Sequence, residues 1–415
     1  MLSARDPSPS DDSHAAVSAF TLAERLKLLA FGFLLAFFSS FGQTFFISLF
    51  NADFRAAFDL THGGIGTVYS IATLASGLCM IKLGGQLDRM PLRRFVVGTL
   101  LGLALACLLT FSVQSVIMLG IALFLLRLCG QGLMVHAAIT SMARHFERSR
   151  GKAIAFATMG NPAGEAVFPL TVVLVTAAVG WRTTWLLAAL FLICVLLPFV
   201  LFLLHGGRAG SFQPRGGASF RLGPFVRQRA FLMMLPGLMA SGFINTGVFF
   251  HQIHITEVKD WELAWFATCF VAFAIASVCA TLVSGALIDR LTARRLMPFY
   301  LVPLALACLV ISLGDAPWIA LVYMLLAGLT AGSNTSVTTA MWAETYGTAQ
   351  LGSIRAVAAA LMVISTALAP GLLGLLIDLG IGVDTLLAGC SAYCVLGIVM
   401  YGLVFRQDLT VTRKG

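Results

Sequence analysis

Two charged residues stand where an apolar chain can least easily hide them. Arg127, in Arg127-Leu128-Cys129-Gly130-Gln131-Gly132, and Glu165, in Gly160-Asn161-Pro162-Ala163-Gly164-Glu165, each sit near the middle of a long apolar run. On insertion scales an ionisable side chain at the centre of a membrane helix costs roughly 2.5 to 3.5 kcal/mol, so each is a functional candidate. Arg127 lies about ten residues into its run from one side and Glu165 about twelve into the next from the other; at 1.5 Å of rise per residue the depths agree within a few ångströms. Adjacent antiparallel helices would pair them.

Three chemistries are open to such a pair. It is a static ion bridge between two helices, or Glu165 carries a proton and changes its charge when a substrate displaces Arg127. In the third, Arg127 is a fixed cation for a substrate carboxylate or phosphate, using its planar fork of donors. The last two are compatible.

Other polar residues inside the apolar runs cost less. Ser39, Ser40, Gln43 and Thr44 fall in the first run, Asn245 and Thr246 in the seventh, and Asn334, Thr335 and Thr338 in the tenth. Singly, each reads first as a hydrogen bond between helices. His136 falls on the face opposite Arg127 and reads as packing. His251 and His254 read as vestibule residues, and Asp378 and Glu344 as wetted helix ends. Most of the 32 phenylalanines, Phe37, Phe38, Phe45, Phe46, Phe249 and Phe250 among them, should face lipid or pack between helices.

The elements that position these residues are membrane helices. Of the 415 residues 59% are hydrophobic and only 11% charged, where a soluble globular protein carries about a quarter charged. Apolar runs of roughly 20 residues, long enough for a ~30 Å hydrocarbon core, recur along nearly the whole chain. Twelve are expected, six over residues 28–204 and six over 231–405. Residues 1–27, with Asp6, Asp11 and Asp12, lack the features of a signal peptide and read as a cytoplasmic tail. Residues 205–230, glycine-rich and basic, read as a cytoplasmic linker, and 406–415 as a second tail.

Lys and Arg fix the orientation. With both termini cytoplasmic, the outer loops hold only Arg55, Arg182 and Lys259, and nearly all the other basic residues lie inside. The net charge of +9 therefore points to anionic lipid rather than nucleic acid. All nine cysteines fall inside the spans, and none groups with histidine at metal-ligand spacing. There is no phosphate-cradling glycine loop and no catalytic triad, so neither an enzyme nor a nucleotide-driven pump is expected, and no cofactor.

The chain also repeats itself. Gly84-Gly85-Gln86-Leu87-Asp88-Arg89-Met90-Pro91-Leu92-Arg93-Arg94 and Gly285-Ala286-Leu287-Ile288-Asp289-Arg290-Leu291-Thr292-Ala293-Arg294-Arg295 share Gly-x3-Asp-Arg-x3-Arg-Arg, offset by 201 residues. The same offset maps Gly151 onto Gly352 and Pro169 onto Pro370. Two copies of one six-helix unit account for this. Gly84 and Gly285 would let helices approach closely, and Asp88 and Asp289 would face the helix starts near Ser353 and Lys152 as a latch.

The paired loop resembles the signature of the major facilitator superfamily, with Pro91 where a glycine is common; Gly180-Trp181-Arg182 is similar to that family too. The resemblance implies an all-α membrane protein with two pseudo-symmetric six-helix bundles. It implies that the first, fourth, seventh and tenth helices surround a central cavity, which makes Gln43, Arg127, Gln131, Asn245 and Asn334 candidate substrate contacts. Many proton-coupled members carry Arg-x-x-Gln-Gly in the fourth helix; here Gly130 is interposed. The resulting expectation is a monomeric secondary transporter in the inner membrane, moving a small organic anion by alternating access with protons as the coupling ion. An exporter of amphipathic or aromatic compounds, and a non-transporting sensor on the same scaffold, are the alternatives.

Overall fold

A capping box starts the first helix. The Thr21 hydroxyl accepts from the Glu24 N–H while the Glu24 carboxylate accepts from the Thr21 N–H, so two otherwise orphaned donors are satisfied. The helix therefore begins at Leu22, ahead of position 28 where the apolar run suggested a start. The computed structural model describes residues 21–146, 149–205, 228–347 and 351–406. Most of the expected tails and of the linker lies outside them, as do the side chains of Asp88 and Ser353.

Among the described residues, ten helices have the length and composition to cross a membrane. They are His62–Leu87, Leu92–Phe111, Val116–His145, Arg150–Val179, Trp181–Leu203, Arg229–Phe250, Leu263–Leu291, Trp318–Tyr346, Val357–Asp378 and Val383–Val404. The two remaining expected places hold a bent pair, which brings the number to eleven if it is one span, and a helix too short to count as one, so twelve spans are not all formed at full length among the described residues. Those two differ from the rest. The first is a pair, Leu22–Gly42 and Thr44–Phe58, bent by 44° where Gln43 leaves the helical region at φ −84° and ψ 153°. The ninth, Val302–Leu313, has only 12 residues. Pro298 and Pro303 stand at its start, and proline supplies no N–H to a helix. Pro169 and Pro370, matched by the repeat, both sit inside helices.

Glycine lets helices touch backbone to backbone within each half. A Cβ on Gly160 would lie 2.3 Å from the Phe33 carbonyl oxygen, and one on Gly332 would lie 1.9 Å from that of Ser277. Thr281 then donates to the Gly332 carbonyl at 2.9 Å. Gly332→Ala should therefore unfold at lower temperature despite alanine's better helix propensity, by about 1–3 kcal/mol of overpacking, whereas Gly402→Ala, with nothing within 4 Å, should be neutral or slightly stabilising. Thermal unfolding of the two variants side by side checks this.

The halves meet at the end away from the termini. The second and eleventh helices are in backbone contact there, with Gly66 against the Pro370 carbonyl and Gly374 against that of His62. Gly77 against Val363 is the deepest such glycine contact between these helices. Phe45, Phe249 and Phe270 interleave across the seam. Two amides stitch it reciprocally: Asn51 Nδ2 donates to the Phe250 carbonyl at 2.6 Å, and Gln252 Nε2 to the Phe45 carbonyl at 3.0 Å. Asn51 and Gln252 are separated by the repeat offset, so each half presents the same device to the other.

Candidate functional site

Arg127 lies in a widened stretch of the fourth helix, Leu126–Met134, with π-type turns. Gly130 permits that stretch to lie against the break in the first span, where a Cβ on Gly42 would come within 2.2 Å of the Leu126 carbonyl oxygen. Arg127 Nη1 donates to the Gly42 carbonyl at 3.2 Å and to Thr44 Oγ1 at 3.4 Å. The guanidinium stacks 5.3 Å over the Tyr69 ring, and the Tyr69 and Thr44 hydroxyls share a 2.8 Å hydrogen bond. With 3% exposure, the residue is enclosed by protein and braces the broken helix.

Glu165 projects elsewhere. At 100° per residue it points away from the lipid face marked by Val167 and Leu174, which are 49% and 58% exposed. It is half-buried on the inward face of the fifth helix. Among the described residues no ion pair or hydrogen bond holds its carboxylate. The expected Arg127–Glu165 bridge is thus not formed, and the cause is a helix between them. The first span packs Gly42 on the fourth helix and Phe37 and Ser40 on Gly164 of the fifth. Equal depth did not mean contact.

Beside Glu165, Phe168 packs on Phe37, Phe38 and Phe41 at 4.9 to 5.9 Å. Gln43 and Gln131 both adjoin the break and are half-buried. Asn245 is half-buried too, with an enclosed Oδ1 that has no partner among the described residues. Asn334 lines a cavity of about 320 Å³ between the seventh, tenth and eleventh helices, toward the terminal end. Thr335, Thr338, Thr339 and Trp342 share the wall, with apolar Leu238, Ala358, Leu361 and Met362 opposite. Residues four apart on the tenth helix fall on one face, which brings Asn334, Thr338 and Trp342 into line. Among the described side chains, none that lines this space is charged.

The paired-loop residues do not pack as expected in this state. Among the described residues, Gly285 has nothing within 4 Å of a Cβ position, and the atoms nearest one on Gly84 belong to the side chains of Met80 and His136. Arg89, Arg93, Arg94, Asp289 and Arg290 are exposed, so Asp289 does not cap the fifth helix near Lys152. The Asp88 latch lies outside the described residues. Instead Glu344 accepts from the Ala293 and Arg294 N–H groups at 2.8 and 3.0 Å. At the far end Asp378 accepts from the His62 and Gly63 N–H groups at 3.0 and 2.7 Å. That contact is a helix-dipole latch, on the side opposite the one the motif suggested.

Lys259, at the same end, is held by Asp315 at 2.7 Å and Asp384 at 2.5 Å. Burial disfavours its charge, but the two carboxylates outweigh that and its pKa lies above the ordinary value. The seam residues Asn51, Gln252 and His62 escaped the sequence reading. Applying the repeat offset to polar residues would have found the first two.

The Major Facilitator Superfamily family model matches residues 32–277 and 262–414. No curated protein sequence matches the chain. The fold is similar to a solved bacterial homologue of the human lysosomal transporter Spinster, in an inward-facing and unoccupied conformation. The TM-score is 0.71 at 14% identity, over 94% of this chain and 98% of that one. It is similar also to the solved nucleoside transporter NupG, with a TM-score of 0.70 at 14% identity, over 92% and 98% of the two chains.

Proposed function

The chain belongs to the Major Facilitator Superfamily and is a multi-pass membrane protein, and from that premise we propose that it is a proton-coupled secondary transporter of a small organic solute. It works by alternating access in the cytoplasmic membrane, with both termini inside. The observation that carries the coupling is Glu165, an acid on the inward face with no fixed cation among the described residues. Such an acid changes protonation without breaking an ion pair. The sealed far end and the cavity toward the termini are one end state of the cycle; parting the seam gives the other.

The solute is uncharged or cationic rather than anionic. Arg127, on which an anion would depend, is enclosed and occupied by the first span. The cavity offers hydroxyls, an amide and an indole, which suit a polar ring with one flat apolar face. The phenylalanine cluster beside Glu165 favours the second reading, export of an aromatic cation.

Melting of the purified protein against a metabolite panel tests the proposal. Uncharged ring compounds at about 100 times Kd should stabilise by about 2.7 kcal/mol, and Asn334→Ala and Trp342→Ala should each remove most of that gain. Stabilisation by lipophilic cations that needs Phe168 instead supports the exporter. Stabilisation by carboxylates alone contradicts the assignment of the cavity.

A further inference from the structure

At the sealed end four basic side chains crowd one crevice. The first half supplies Arg55 and His62, the second His251 and His254, with Asn51 and Phe250 beside them. The His62 ring centroid lies 4.3 Å from that of His254 and 6.0 Å from that of His251. His251 is 5% exposed, and its Nε2 sits 3.0 Å from the Pro370 carbonyl, where it donates. The acids nearby are Asp378 and Glu257. Asp378 is engaged by the His62 and Gly63 N–H groups, and among the described residues no carboxylate pairs with any of the three imidazoles.

Neutral imidazoles fit this arrangement and charged ones do not. His62 belongs to one half and His251 and His254 to the other, so proton uptake puts like charges across the seam, with Arg55 already present. Like charges at this separation repel, most strongly around the buried His251. The reciprocal amides and the Asp378 latch close around the same crevice, so the repulsion acts where the halves must part.

We propose that His62, His251 and His254 form a proton-binding site, separate from Glu165, that opens the seam when the compartment it faces turns acidic. The inference rests on the reading that the halves part at this end, but not on any substrate or on Glu165. It gives a proton arriving from the far side a direct means to expose the solute site to that side.

The direction follows from linkage. Burial pushes the His251 imidazole down to about 4, with His62, His254 and Arg55 adding to the effect and the Pro370 carbonyl opposing it. His254 is lowered too, by burial first and by Arg55, against Glu257. A pKa depressed in the sealed state means that the parted state binds the proton more tightly. The seal is thus intact above about pH 6.5 and weakens as pH falls from there toward about 4. If His251 regains an ordinary pKa of 6.5 on parting, it alone lowers the ratio of sealed to parted protein about 30-fold between pH 7.5 and pH 5.

Spin-label distances on the full-length protein in nanodiscs test this without a substrate. Labels go on Ala57→Cys and Val258→Cys, both exposed and on opposite halves, with Cys79, Cys194 and Cys279 changed to serine. The short distance should dominate at pH 7.5, and a longer one should grow by at least tenfold in relative population by pH 5. Replacing all three histidines by glutamine should abolish that growth, and His254→Gln alone, at a half-buried position, should reduce it at least threefold. Glu165→Gln should leave it intact. A distance distribution independent of pH overturns the proposal, as does a response that survives the histidine replacements or disappears in Glu165→Gln. Failure of every flux assay would overturn the transporter reading and leave these distances to decide the seal.

Discussion

Arg127→Ala should lower the melting temperature by several degrees and leave solute binding within about twofold. The lost contacts are specific. A charge-assisted hydrogen bond to the Gly42 carbonyl is worth about 1.5–3 kcal/mol, and the stack on Tyr69 about 1–2 kcal/mol in a desolvated site. The buried cavity left behind adds to both. Arg127→Lys should recover less than half of the loss, since an ammonium on a flexible stem cannot brace a carbonyl and stack on a ring at once. Melting curves with and without a stabilising solute separate the two effects. Unchanged stability with lost ligand response would return Arg127 to the role of substrate cation.

Glu165→Gln should be folded, should bind solute, and should fail to accumulate it. With one proton coupled to each uncharged solute, one pH unit supports a tenfold concentration ratio, the equivalent of 1.36 kcal/mol. The variant cannot gain or lose the proton, so its final ratio should be about one under the same gradient. Exchange of labelled for unlabelled solute, which needs no net proton movement, should persist. Parallel loss of exchange and accumulation would instead make Glu165 a binding residue. This separation matters because the uncoupled and the non-binding variant look alike in uptake alone.

The scaffold was largely legible because a membrane imposes it. Apolar length marks the spans, and the two copies of Gly-x3-Asp-Arg-x3-Arg-Arg mark the halves. What escaped was local geometry set by proline and glycine. Pro298 and Pro303 shorten the ninth helix, and the break at Gln43 is written in no single residue type. The Arg127 and Glu165 expectation had the wrong neighbours, since rise per residue speaks to height but not to which helix stands between. Gly42, Gly130 and Gly164 carried that information, as three glycines that let the first span lie between the fourth and fifth helices. The tenth-helix patch of Asn334, Thr335 and Thr338 was visible as polarity out of place. The Trp342 wall and the apolar face opposite needed the fold.

The gate residues carry a different lesson. With the opposite end closed, Arg89, Arg93, Arg94, Asp289 and Arg290 of the motif lie exposed at the terminal end, so the contacts that the motif implies are not on view. Asn51 and Gln252 show what the closed end uses instead, and the same 201-residue offset that revealed the motif relates them.

The most direct test of the account is proton movement during solute entry, followed with a pH-sensitive dye inside liposomes, using the compound that stabilises the protein most. Proton entry in fixed proportion to solute is expected in the wild type and in Arg127→Lys, and none in Glu165→Gln while solute still exchanges. Solute entry in Glu165→Gln accompanied by the wild-type proton flux would contradict it.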